Sequence, residues 1–195
     1  MPSAERRCVY TALFGGYETL LEQHVAARYD TDLICFTDDP SLASSSWQIR
    51  QVTPRFPLDP ERSSRFPKIM AHELLPDYDA SIYIDNTVLL TRDPTEIFDD
   101  LLPVGVAMAS IRHSYRDSVA AEFDAVVAAG VEAPWACAEQ REHYEAYDPE
   151  ALAAQTLWNG LNLMPRSLRS TSRMLKLGGK LSIGHRCVPP AGTWS

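Results

Sequence analysis

Nowhere in this chain of 195 residues do apolar residues run on for the ~20 positions that a bilayer-crossing helix needs. That absence excludes a helical membrane span. Behind Met1-Pro2-Ser3-Ala4-Glu5-Arg6-Arg7 there is no apolar stretch of the kind a secretory leader carries, so no signal peptide is expected. Cysteine is scarce as well: Cys8, Cys35, Cys137 and Cys187 stand far apart, with no CxxC spacing and no Cys/His cluster to suggest zinc. Cys8 and Cys35 lie inside apolar, strand-like runs and read as small core residues, so a reducing, cytoplasmic compartment is expected. Positive charge is short, with 18 Lys and Arg against 26 Asp and Glu and a formal net charge of -8. That balance argues against non-specific nucleic-acid binding and against an anionic membrane surface. It leaves room for an anionic small ligand gathered by local basic groups. GxGxxG, a P-loop and internal repeats are all missing.

A hydrophobic content of 45% is ample for a core, and the length fits one domain. Arg7–Phe14 reads as a first strand, stopped at Gly15-Gly16-Tyr17. A short helical piece is expected around Thr19–Ala27. Asp32–Thr37 is a second strand, and Trp47–Val52 alternates like an edge strand. The proline-rich stretch from Pro54 to Pro67 reads as loop, and Lys68–Leu75 as a helix ended by Pro76. Ile82, Ile84 and the Val88-Leu89-Leu90 group read as a strand buried on both faces. Asp93 and Pro94 have the chemistry of an N-cap and first helical residue. Val104–Ala109 is a further buried strand, Tyr115–Ala129 a helix stopped by Gly130, Leu161–Met164 a short strand and Leu168–Leu177 a helix. Strands alternating with helices imply an α/β sandwich with a largely parallel sheet.

Four features could carry chemistry. A glycine turn after a first strand, at Gly15-Gly16, lets backbone N–H groups approach a nucleotide or phosphate, although a tight surface turn looks the same. Arg62, Arg65 and Lys68 place three cations in seven residues of an acidic chain, suited to a diphosphate or a carboxylate; a solvated patch is the plainer reading. Asp85-Asn86-Thr87 interrupts an apolar run, and a buried ionised Asp is costly unless paired, hydrogen-bonded or holding a cation. Asp85 is therefore expected at the end of a central strand, facing a site. Finally, His113 and Arg116 follow a buried strand. Glu122, six residues past Arg116, is off salt-bridge spacing on a helix and reads as solvent-facing.

Taken together, Val9–Tyr17, Asp32–Asp38, Arg65-Phe66-Pro67-Lys68, Tyr83-Ile84-Asp85-Asn86 and Arg112-His113 with Arg116 and Glu122 resemble a glycosyltransferase-like family. That family is known for plant proteins of seed-coat mucilage and pollen development and has many bacterial members. The resemblance spans roughly residues 7 to 165. It implies a GT-A-like (Rossmann-like) three-layer α/β sandwich, a nucleotide-sugar donor, a glycan or other acceptor, and a place in polysaccharide biosynthesis. Under it, Tyr10, Thr11, Phe14 and Gly15 would line the base and ribose pocket, and Asp38 would reach the base or ribose. Arg65 and Lys68 would face the diphosphate, Asp85 the ribose or a cation, and His113 and Arg116 the sugar or acceptor, with Asn86 a further donor-binding residue. Asp85 and His113 are the catalytic candidates. GT-A enzymes hold Mn²⁺ or Mg²⁺ with Asp-x-Asp at this strand end; here the register gives Asp85 and Thr87, and a hydroxyl is the weaker ligand, so only weak metal binding is expected.

The Trp-containing helix and Arg-Asp-Gln-like segment that the resemblance implies beyond Met164 are not found in this sequence. The expectation is one domain over 1–177, lacking the usual C-terminal part, and an irregular tail over 178–195. Two rivals stand beside a glycosyltransferase. One is a non-catalytic nucleotide-sugar or glycan-binding remnant. The other is a nucleotidyltransferase, weakened by the absence of a glycine-rich loop with a following Arg or Lys.

Overall fold

A computed structural model describes residues 5–102, 109–154 and 157–165. The described strands are β1 (Arg7–Leu13), β2 (Asp32–Thr37), β3 (Gln48–Gln51), β4 (Ala80–Ile84), β5 (Ala109–Arg112) and β6 (Leu157–Pro165). The chain divides into two compact units. The first holds the described residues up to Ala109 and those from Gly160; the second holds the described residues of Ser110–Asn159.

In the first unit the strand order is β3-β2-β1-β4-β6. β3, β2, β1 and β4 run parallel, and β6 pairs with β4 antiparallel. The register sets the two faces. Tyr10 lies opposite Ile34 and Tyr83, and Val9 lies opposite Leu33 and Ile82. Side chains alternate along a strand, so these two rows point to opposite sides, and both are buried. A sheet covered on both faces explains the apolar runs without a polar alternate. One face packs Tyr10, Phe14, Ile34, Phe36 and Tyr83 against Ala71, Leu75 and Tyr78. The fold is thus α/β with a mostly parallel sheet, as the GT-A-like expectation requires.

Local chemistry fixes the helices, and in several places it overrides the sequence reading. The stretch from Pro54 to Pro67 is not all loop: α1 (Pro60–Ile69) begins inside it. Asp59 accepts the Arg62 N–H at 2.8 Å as N-cap, and Pro60 stands in the first turn, where its missing N–H costs nothing. Pro67 is tolerated further in. Helix then breaks at Met70, and α2 (Ala71–Leu74) follows. The helical piece expected around Thr19–Ala27 shrinks to a single 3-10 turn, His24–Ala27. Ahead of it the backbone donors go to side chains instead, Leu21 N–H to Asn86 and Gln23 N–H to Ser46. The strand read through Leu90 ends at Ile84, because a turn returns the Val88 N–H to the Asp85 carbonyl at 2.9 Å. α3 (Pro94–Leu101) starts as expected, with Asp93 capping Thr95 N–H at 2.8 Å.

The second unit holds α4 (Val119–Ala128), α5 (Pro134–Tyr147) and α6 (Pro149–Ala153) around Val119, Phe123, Val126, Cys137 and Tyr144. α4 starts four residues later than Tyr115, since Ser118 caps it by accepting Ala121 N–H at 3.2 Å. Gly130, with φ of 65°, follows its end. The expected strand at Val104–Ala109 falls mostly on residues outside those described, and β5 takes up at its last residue. The expected helix Leu168–Leu177 and the tail over 178–195 also lie outside them. Among the described residues no helix is long and apolar enough to cross a membrane.

Candidate functional site

Asp85 stands immediately after β4, at the carboxyl end of a strand flanked by β1 and β6. In parallel α/β sheets that end is where ligands bind. The carboxylate has two partners at one oxygen. Tyr83 OH donates to Asp85 Oδ1 at 2.6 Å, and Lys68 Nζ donates to the same oxygen at 3.2 Å. Tyr83 and Asp85 are two residues apart on an extended chain, so their side chains leave the same face. Tyr83 is almost wholly buried. Burial, then the Asp85 charge, push its phenol well above the ordinary tyrosine range, so it stays a proton donor throughout the neutral range.

Lys68 is held from three sides. Its ammonium lies 4.4 Å from the centre of the Tyr83 ring, a cation–π distance. Its charge meets Asp85. Its backbone carbonyl accepts the Tyr10 OH at 3.2 Å. Tyr10 and Tyr83 themselves meet edge to face at 5.4 Å. Arg65 lies one helical turn before Lys68, hence on the same face of α1, with its guanidinium 3.3 Å from Glu61.

The glycine turn is a second built feature. Gly15 has φ of 73° and Gly16 of 62°, a region that side chains with a Cβ avoid. A Cβ on Gly15 would come within 2.5 Å of Pro60 Cβ, so the turn packs directly on the start of α1. Gly15 N–H donates to Asp38 Oδ1 at 2.9 Å, which joins the ends of β1 and β2. Asn86 accepts Leu21 N–H at 2.8 Å and donates to the Thr19 carbonyl at 2.7 Å. Buried Gln23 donates to the Val88 carbonyl and accepts Leu90 N–H. Asn86 and Gln23 together tie the segment after the glycine turn to the segment after Asp85. Glu22 accepts hydrogen bonds from Ser44, Ser45 and Ser46. Desolvation pulls its carboxyl upward, but these bonds outweigh it and hold the pKa down at about 2.

The sequence-derived candidates therefore separate into groups. Lys68 meets Asp85, Tyr10 meets Lys68, Gly15 meets Asp38, and Arg65 shares the Lys68 face of its helix. Tyr10, Thr11 and Phe14 are buried, and Thr11 Oγ1 has no hydrogen-bond partner among the described residues. Thr87 is exposed. No group of three or more His, Cys, Asp or Glu side chains that could hold a metal ion gathers among the described residues. The Asp85 and Thr87 pair is a poor fit for a resident dication, because Asp85 Oδ1 already takes an ammonium and a phenol. Sequence reasoning missed Tyr83; its i, i+2 spacing to Asp85 on a strand was the available signal.

The second unit has its own polar cluster. His113 Nδ1 accepts Tyr115 N–H at 3.0 Å, so the imidazole proton resides on Nε2, 3.8 Å from Glu122 Oε2. Arg116 Nε lies 3.5 Å from the same oxygen. Burial, opposed by Glu122 and aided by Arg116, lowers the His113 pKa. Glu122 is buried rather than solvent-facing, which corrects the sequence reading. The helix begins only at Val119, so Arg116 sits in the preceding loop and helical spacing does not apply.

No curated protein matches the chain. Among solved structures, the apo crystal structure of mouse xyloside xylosyltransferase 1 is similar over 91% of this chain and 73% of that one, at 12% identity and a TM-score of 0.46, a likeness too loose to carry chemistry. The sequence pattern of a family described as TOD1/MUCI70, glycosyltransferase-like domain, matches residues 36–167. That span starts after the glycine turn and takes in Asp38, Arg65, Lys68, Asp85, His113 and Glu122; covering most of the chain, it shows that this protein belongs to the TOD1/MUCI70 glycosyltransferase-like family.

Proposed function

We propose that this protein is a glycosyltransferase that binds a nucleotide-sugar and transfers its sugar to a glycan or other acceptor. The observation that carries the reading is the Lys68–Asp85–Tyr83 arrangement at the carboxyl end of β4, within a chain of a glycosyltransferase-like family. An acidic protein repels a doubly charged diphosphate on average, so it must offer cations locally. Lys68 and Arg65 supply them from one face of α1. Asp85 faces the ribose and keeps Lys68 in place. The Gly15 turn and Asp38 form the base and ribose side, with Tyr10, Thr11 and Phe14 buried behind them. His113 and Arg116 are the second unit's candidates for contacts to the sugar or acceptor. The described cysteines, Cys8, Cys35 and Cys137, are all free and buried, which supports a reducing, cytoplasmic setting.

The test is incubation with a panel of nucleotide-sugars, with and without oligosaccharide acceptors, following release of nucleoside diphosphate. Release from at least one donor, lost in Asp85→Asn, is expected. Binding without release would favour the non-catalytic remnant, which Thr87 in place of a second carboxylate also favours. Pyrophosphate release from a nucleoside triphosphate would favour a nucleotidyltransferase. No binding of any donor would contradict the proposal.

A further inference from the structure

The position beside Asp85 already has a cation. Lys68 Nζ is 3.2 Å from Oδ1, the oxygen that also accepts the Tyr83 phenol. This ammonium is no loose surface charge. Its side chain is only 20% exposed, it lies on the Tyr83 ring, and the Tyr10 phenol grips the carbonyl of the same residue. A dication bound at Asp85, even on its second carboxylate oxygen, would lie within a few ångströms of that ammonium and be repelled by it. Hard dications also want several oxygen donors, and the residue two positions on is a threonine.

We infer that Lys68 is a tethered cation that takes the place of a divalent metal at Asp85, so that the protein holds a diphosphate without metal and removal of the ammonium strengthens the weak attraction of Asp85 for Mn²⁺. The diphosphate half of this inference rests on the proposed function; the metal half does not. An ammonium carries three donors, so its bond to Asp85 is compatible with a bond to a phosphate oxygen. Tyr83 is a positioning residue here. Its ring seats the ammonium and its hydroxyl fixes the carboxylate.

The experiment titrates MnCl₂ alone into the full chain by calorimetry, with Mn²⁺ electron paramagnetic resonance as a second readout. The proteins are the natural one, Lys68→Met, and Lys68→Met with Asp85→Asn. The natural protein should bind Mn²⁺ no better than about millimolar. Lys68→Met should bind about tenfold tighter or more, since a repelling charge is gone and a carboxylate is released. The double variant should lose that gain. Circular dichroism checks folding, and Lys68→Gln replaces Lys68→Met if the latter fails to fold. Tight Mn²⁺ binding to the natural protein that Asp85→Asn abolishes would overturn the inference, as would no gain in the folded Lys68 variant. A second arm titrates UDP and GDP in EDTA and in Mn²⁺. Affinity for the natural protein should change by less than about twofold. A strict Mn²⁺ requirement overturns the inference. If neither nucleotide binds, the diphosphate half fails and the Mn²⁺ arm still decides the metal half.

Discussion

The same three-part contact occurs at two ends of one sheet, and the two copies differ in exposure and in their place in the fold. At the carboxyl end of β4, Tyr83 OH donates to Asp85 at 2.6 Å, and Lys68 lies on the tyrosine ring while pairing with the carboxylate at 3.2 Å. At the amino end of β2, Tyr78 OH donates to Asp32 at 2.6 Å, and Arg6 lies 4.8 Å from the Tyr78 ring centre while approaching Asp32 at 3.9 Å. Chemistry alone does not tell them apart; surroundings do. Arg6 is 58% exposed against 20% for Lys68, and Asp32 takes a further bond from Gln48. The Asp32 contact clasps strand starts, next to where Asp79 ties to Arg6. The Asp85 contact sits where parallel strands deliver their carboxyl ends, beside a glycine turn. A charged triad marks a site only in combination with its place in the fold.

The largest effect expected at the carboxyl end is structural. Gly15→Ala should destabilise the protein by roughly 2–4 kcal/mol, from a left-handed backbone and a clash with Pro60 together. Gly16→Ala meets open space and should cost only about 1 kcal/mol. Chemical denaturation of both variants checks the difference, and equal costs would mean that the Pro60 contact does not hold the turn.

Next in size is binding. Arg65→Ala should weaken nucleoside diphosphate-sugar binding roughly ten- to a hundredfold with the fold intact, as the loss of one charge-assisted contact implies. Arg62 is exposed and lies 4.9 Å from the Phe56 ring centre, and Arg62→Ala should change affinity little. If the two variants behave alike, Arg65 only secures α1 through Glu61.

Acid should strike the carboxyl end through Glu22. Its folded pKa of about 2 lies below the 4.5 of an ordinary glutamate, so its contribution is complete above 4.5 and is lost as pH falls toward about 2. Glu22→Gln should cost about 1–2 kcal/mol at neutral pH, allowing for its partial exposure, and should flatten the stability profile across that window. Thermal melts between these pH values measure it. An unchanged slope would show that Ser44–Ser46 do not hold the carboxylate in solution.

The smallest effect belongs to the amino-end triad. Tyr78→Phe removes one hydrogen bond to Asp32 and should cost about 1 kcal/mol, with donor affinity untouched. A loss of affinity there would erase the distinction between the two ends.

What the sequence revealed divides along the same lines. Asp32–Thr37 was legible as a strand to the residue, because a run of β-formers between polar stops is local information. The Asp93-Pro94 helix start was legible for the same reason. The position of Asp85 followed from the cost of an ion in an apolar run. Missed features were those decided by distant partners or competing signals. Prolines hid the start of α1, although Asp59 and Pro60 form an N-terminal signature. The stretch before His24 is not helical because Asn86 and Ser46 take its N–H groups. Helical spacing hides the Glu122 pair, because its partner Arg116 stands in the loop before α4 and not on the helix. The Lys68–Asp85 pair joins α1 to a strand end, and only the folded chain sets its 3.2 Å separation.

The central claim is that the Asp85 end of the sheet, and not its twin at Asp32, binds the diphosphate of a donor. Calorimetric titration of UDP and GDP into the natural protein, Lys68→Ala and Arg6→Ala tests it most directly. The account predicts that the better-binding nucleotide loses roughly ten- to a hundredfold in affinity with Lys68→Ala and less than about twofold with Arg6→Ala. Unchanged affinity in folded Lys68→Ala, or equal losses in both variants, would contradict it.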